Sequence, residues 1–134
     1  MKIVEIEGVG PAYAEKLQAA GVNTTDDLLD KGASPAGRKA LEEATGITGK
    51  LILEWVNHVD LMRISGVGSE YSDLLEAAGV DSPAELSHRV AANLAAKIDE
   101  VIAAKPNIVR RAPSEGMIQG WIDQAKALPK VVSH

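Results

Sequence analysis

The chain has 134 residues, 14 basic and 19 acidic, for a net charge of −5 at neutral pH; that acidic balance argues against a protein that coats nucleic acid, where phosphate neutralisation demands a basic excess. Its length suits one domain, 1–134, with room for a sizeable core, and the absence of Cys removes disulfides and thiolate metal sites. Apolar residues make up 46% of the chain, yet it holds no Phe, two Trp and two Tyr, so the core is one of Leu, Val, Ile and Ala, as closely packed helices require.

In chain order, MKIVEIEGVG has acidic residues where a secretion signal needs an apolar stretch. No later run approaches the roughly 20 apolar residues of a membrane span, so a cytoplasmic protein without a membrane partner is expected. KIVEI (2–6) alternates weakly and is the clearest strand signal, with VRR (109–111) and KVV (130–132) too short to judge. Pro11 is pre-set for a first helical turn, and Gly21 stops that helix. Thr24 caps a short helix, with Asp27 three residues on in a capping-box pattern. Ser34-Pro35 opens another, running to about Ala44 and closed by Thr45-Gly46. Thr48 caps a helix of about Gly49 to Leu61, with Ile47 and Ile52 placed as a hydrophobic staple. Gly68 leads a helix to Ala78, stopped by Gly79. Ser82-Pro83-Ala84-Glu85 starts the next, Ala91–Ala104 follows, and Ser114 caps a last helix through Trp121 to Leu128. The expected fold is all-α.

The chain also repeats itself. IEGVGPAYAEKLQAAGVNTTDDLL (6–29) returns as ISGVGSEYSDLLEAAGVDSPAELS (64–87) at an offset of 58, with eleven of 24 positions identical. The repeat continues into LILEWVNHVDL (51–61) and MIQGWIDQAKAL (117–128), which align on Trp55 and Trp121. The offset there is 66, so the second copy carries about eight extra residues around Lys105–Pro113. Self-similarity at this spacing implies two copies of one supersecondary unit, about 1–61 and about 62–134. The last helix has no hairpin after it and the first hairpin no helix before it. The Trp121 helix is therefore expected to complete the first unit, as the Trp55 helix completes the second.

In each copy, Gly-Val-Gly opens a helix. Two glycines permit positive φ and close backbone approach, while Val9 and Val67 between them turn inward as core pegs. The N–H groups at Gly10, Ala12 and Tyr13, and at Gly68, Ser69 and Glu70, then sit at a helix N-terminus. Free donors and the helix dipole favour a phosphate oxygen there without any side chain.

The patterns Ile6-x-Gly8-Val9-Gly10-x-x-x-Ala14-x-x-Leu17 and Ile64-x-Gly66-Val67-Gly68-x-x-x-Ser72-x-x-Leu75 resemble the helix-hairpin-helix superfamily. The trailing AAGV is similar to its tandem members, and the whole chain resembles paired-hairpin proteins without an assigned function. The resemblance implies two helix-hairpin-helix-like units related by a pseudo-two-fold, and binding rather than catalysis. Hairpin amides in that superfamily hold phosphates of one DNA strand, helped by Lys or Arg in the turn after the second glycine. Carried over by position, the backbone-binding candidates are Gly8, Val9, Gly10, Ala12 and Lys16, then Gly66, Val67, Gly68 and Ser69. The basic residues do not carry over: the turns read Pro11-Ala12-Tyr13 and Ser69-Glu70-Tyr71. Glu5, Glu7, Glu15, Glu70 and Asp73 surround the loops and oppose phosphate, which leaves the first hairpin, with Lys2 and Lys16, the better candidate. Sequence-independent binding of the DNA backbone is the leading function, and a protein–protein interaction module that has lost phosphate binding is the alternative. Monomer and homodimer are both open.

Other signals are weaker. Arg110-Arg111, with Lys105, Arg38-Lys39 and Lys50, is either a basic face or a set of partners for carboxylates. Residues 41–56 resemble a helix-turn-helix around Gly46, but the second helix offers Gly49, Lys50, Leu51 and Leu53 where base-reading polar groups belong; a packed corner fits better. Trp55 and Trp121 read as core, and His134 as a loose end. His58, His88 and His134 lack the spacing of a helical metal pair. There is no nucleophile–base pattern and no dinucleotide loop, so no catalytic residue, cofactor or metal is assigned and the protein is not expected to be an enzyme.

Overall fold

Capping chemistry written in the sequence starts most of the helices. The computed structural model describes residues 1–6 and 8–134; Glu7, named above among the loop carboxylates, lies outside them. Its helices are α1 (Pro11–Ala19), α2 (Thr25–Gly32), α3 (Pro35–Thr45), α4 (Gly49–Leu61), α5 (Ser69–Ala77), α6 (Pro83–Ser87), α7 (Ala91–Ala104) and α8 (Glu115–Ala127). Thr24 Oγ1 accepts from the Asp27 N–H at 3.1 Å, and the Asp27 carboxylate accepts in return from the Asn23 and Thr24 N–H groups. Those backbone bonds hold the Asp27 carboxyl below its usual range. Ser34, Ser82 and Ser114 accept from the N–H three residues on, at 3.0 to 3.1 Å, opening α3, α6 and α8; such caps contribute on the order of 1 kcal/mol each. At α4 the sequence names only Thr48, yet the Glu42 carboxylate of α3 also accepts from the Gly49 N–H.

All regular structure among the described residues is helical; no strand forms. KIVEI, expected as a weak strand, makes a single antiparallel bridge from Lys2 to Thr24 and then a 3-10 turn over Ile3–Glu5. The reason is burial. Ile3 and Ile6 both enter the core, and a spacing of three matches the 3-10 period, not the two-residue period of a strand. Among the described residues, no helix is long and apolar enough to cross a membrane.

Two compact units result. One comprises Met1–Asp60 with Val131–His134, the other Leu61–Lys130. In the first, α3 packs on α1 and α2, around Ile3, Ile6, Val9, Leu17, Val22, Leu28, Ile52 and Trp55. In the second, α8 packs on α6 and α7, around Ile64, Val67, Leu75, Val80, Leu86, Leu94 and Trp121. Five of the repeated identities are thus buried equivalents, Ile6/Ile64, Val9/Val67, Leu17/Leu75, Val22/Val80 and Leu28/Leu86. The α3–α4 corner is packed as well: Leu41, Ile47 and Ile52 are buried on both sides of Gly46.

The placement of α8 corrects an expectation. Its Trp121 belongs to the core of the second unit and Trp55 of α4 to that of the first, so each Trp helix completes the unit it follows. The extra loop before α8 lets it fold back on its own hairpin. What returns to the first unit is the tail: Val132 is buried with the first core, the Ser133 N–H donates to Ala33 O at 2.8 Å, and His134 Nε2 lies 3.1 Å from Asn57 Oδ1. Buried Arg38 clasps that tail, donating to Gly32 O and Ser133 O, each at 2.8 Å. His134 is therefore held, not loose. Burial pushes the Arg38 guanidinium pKa down.

A second repeated device was not legible as such. Lys31 Nζ lies 3.5 Å from Ala20 O, and Arg89 NH2 donates to Gly79 O at 3.1 Å. The two cations sit at the same offset of 58 and cover the C-terminal ends of α1 and α5, where the helix dipole favours positive charge.

Candidate functional site

Each hairpin is a hydrogen-bonded turn followed by an uncapped helix. The Val9 N–H donates to Ile6 O at 3.0 Å and the Val67 N–H to Ile64 O at 3.1 Å. That turn puts its third residue in the left-handed region, and Gly8 and Gly66 occupy it at φ +88° and +92°. Val9 and Val67 are buried pegs, as expected. Because their N–H groups are spent inside the turn, these two candidates do not offer a donor to a ligand.

The second glycine of each pair behaves differently from expectation. Gly10 has φ −83° and Gly68 φ −94°, values open to any residue, and a Cβ at either would meet no atom within 4 Å. Both are helix caps without a side chain to accept from the first turn. Ala12 and Tyr13 stand in the first turn of α1, behind a Gly10 whose missing side chain would enter open space among the described residues. Ser69 carries an N–H where Pro11 has none.

Beneath each hairpin lies a tryptophan. A Cβ at Gly8 would stand 3.5 Å from Trp55 Nε1, and one at Gly66 would stand 3.2 Å from Trp121 Nε1. The same indoles carry the first-turn tyrosines: Tyr13 meets Trp55 edge-on at 5.1 Å between centroids, and Tyr71 meets Trp121 at 5.1 Å, tilted. Hairpin, indole and first helical turn thus form one assembly, built twice. The repeated Tyr and the repeated Trp were readable as identities, but nothing in the sequence tied them to the glycines.

The charged surroundings are rearranged by folding. Glu5 accepts from the Lys2 backbone N–H at 2.9 Å. Glu70, in the first turn of α5, pairs with Arg110 at 3.2 Å, and Tyr71 Oη donates to Arg111 O at 3.0 Å. The extra loop therefore brings a guanidinium to the second hairpin, which the sequence alone marked as the poorer one. Gln124 of α8 holds the same hairpin from the other side, accepting from the Ser65 N–H at 2.9 Å and donating to Ser65 O at 3.2 Å. Lys16 stands in the last turn of α1. At about 1.5 Å of rise per residue its Cα lies about 6 Å along the axis from that of Ala12, one turn away on the same face. A shallow apolar depression of about 320 Å³ opens at the opposite end of α1, lined by Ala20, Lys31, Gly37, Ala40, Leu41 and Ala44. Its one charged group, Lys31, lies over the end of that helix.

No curated protein and no solved structure matches the chain. A family model matches residues 7–128, from the first hairpin through the end of α8. The chain therefore belongs to the family described as Domain of unknown function (DUF4332).

Proposed function

We propose that the protein is a tandem helix-hairpin-helix module, without catalytic function, that grips the sugar-phosphate backbone of nucleic acid through its two glycine hairpins. The observation that carries this reading is the pair of cap glycines. Nothing among the described residues calls for glycine at position 10 or 68, where φ is ordinary and the space beyond is open. A missing side chain without an internal reason suits a backbone that something outside approaches closely. First-turn N–H groups and the helix dipole at the same place select an anion, and a grip made by amides alone reads no base sequence.

The net charge of −5 favours the second reading, a protein ligand at the same hairpins. Local charge softens that objection. Glu5 is tied to the Lys2 N–H and Glu70 to Arg110, while Glu15 and Asp73 stand at the fifth position of their helices, more than a turn from the caps. The deciding experiment is fluorescence anisotropy of a short labelled DNA duplex at about 50 and about 200 mM salt, the range over which phosphate contacts weaken. Micromolar binding that falls steeply across that range is expected. Absence of binding at the lower salt removes the nucleic-acid reading and leaves the protein ligand.

A further inference from the structure

Trp55 and Trp121 are 1% and 3% exposed, and a buried indole N–H ordinarily finds an acceptor. Here neither Nε1 donates to an acceptor among the described residues. Each nitrogen faces the notch that its glycine leaves, where a Cβ would stand 3.5 Å from Trp55 Nε1 and 3.2 Å from Trp121 Nε1. Both indoles are fixed in the same way: the N–H edge against Gly8 or Gly66, the ring against a tyrosine of the first helical turn. A buried donor that faces the hairpin glycine while its ring packs on the first helical turn, present twice, is what an oxyanion site can use.

We propose that the Trp55 and Trp121 indole N–H groups are side-chain donors of the hairpin sites, each bonding an oxygen of the phosphate whose other oxygens the first-turn amides hold. The inference rests on the phosphate reading above. It adds that each site is completed by a helix distant in sequence, α4 for the first hairpin and α8 for the second. The hairpin-plus-helix peptide alone is then an incomplete site. It also explains why the indole lies under the one residue of the turn that has no Cβ, since any side chain at that point crowds Nε1.

The test uses the whole chain labelled with nitrogen-15, titrated with a short DNA duplex and separately with inorganic phosphate. The chain has two Trp, so two indole cross-peaks report directly. Both indole protons are expected to move downfield along the same binding curve as the amides of Gly10, Ala12, Gly68 and Glu70. Movement of those amides with both indoles stationary overturns the indole inference and leaves the hairpin reading intact. If neither amides nor indoles move with DNA or phosphate, the phosphate reading itself fails and takes the inference with it. Trp55→Phe keeps a ring against Tyr13 and removes the donor; about tenfold weaker DNA binding is expected, as for loss of a hydrogen bond to a charged group. Unchanged affinity in folded Trp55→Phe and Trp121→Phe proteins counts against it. Should either variant unfold, the wild-type titration decides alone.

Discussion

Replacing Gly10 and Gly68 by Asp separates two uses of a helix N-terminus, stability and ligand binding, by moving them in opposite directions. Both residues are caps with extended backbone, φ −83° and −94°, where Asp is among the preferred residues. No atom of the described residues lies within 4 Å of the new Cβ, so the substitution costs no packing against them. The carboxylate can accept from the N–H of Tyr13 or Tyr71, the third residue of each helix. Relative to Gly such a cap gains a few tenths of a kcal/mol, and reduced freedom of the unfolded chain adds about 0.4–1 kcal/mol. Each variant is then more stable by about 1 kcal/mol, a rise in Tm of roughly 3–4 °C for a chain of this size. The same carboxylate fills the donors and puts a negative charge about 4 Å from an incoming phosphate. That repulsion runs from about 1 kcal/mol in water to several in a lower dielectric, so DNA affinity falls about tenfold or more. Thermal melts and anisotropy titrations on the same samples check both halves. Asp variants that bind DNA like the wild type would take the first-turn amides out of the site. A lower Tm would show that the fold itself requires glycine there.

Three further outcomes follow from the packing. Gly8→Ala and Gly66→Ala both force an L side chain into left-handed backbone, a loss of about 1–2 kcal/mol; the Gly66 variant loses more, because its Cβ stands 3.2 Å from Trp121 Nε1 against 3.5 Å for the first hairpin. Urea denaturation resolves the difference, and equal losses would discount the crowding. Arg38→Met leaves Gly32 O and Ser133 O without their donor and destabilises by about 2–3 kcal/mol. Amide exchange at Ser133, which donates to Ala33 O, accelerates before the rest of the first unit; unchanged protection there would mean the tail docks without the clasp. The Asp27 carboxyl, held below its ordinary value of 3.8 by backbone bonds from Asn23 and Thr24, stabilises the fold at pH above that value. The contribution is lost as pH falls below about 4 through the depressed pKa, because protonation ends the acceptor role. Asp27→Asn flattens this part of the acid-unfolding profile, and an unchanged profile would contradict the assignment.

How much was readable varied with the range of the interaction. The caps at Thr24, Ser34, Ser82 and Ser114 were legible because a cap is decided by residues three positions apart. Val9 and Val67 were legible as pegs because the turn that buries them is four residues long. The site was legible only in part. Gly8 and Gly66 carry their reason in their own φ, but the openness around Gly10 and Gly68 depends on what other segments leave empty. Arg110 was unassignable because it stands in the unrepeated loop before α8 and its partner, Glu70, lies 40 residues away in α5.

The sequence by itself determined that the chain is helical, where its helices begin, and that one hairpin unit is written twice, since these follow from local dihedral preference and short-range hydrogen bonding. The tertiary structure alone decided which Trp helix serves which hairpin, that the tail returns to the first unit through Arg38, and that the loop before α8 carries a cation to the second hairpin. These are choices among long-range contacts of equal chemistry. Both tryptophans can fill either core as apolar volume, and only the length and path of the connecting chain distinguish them.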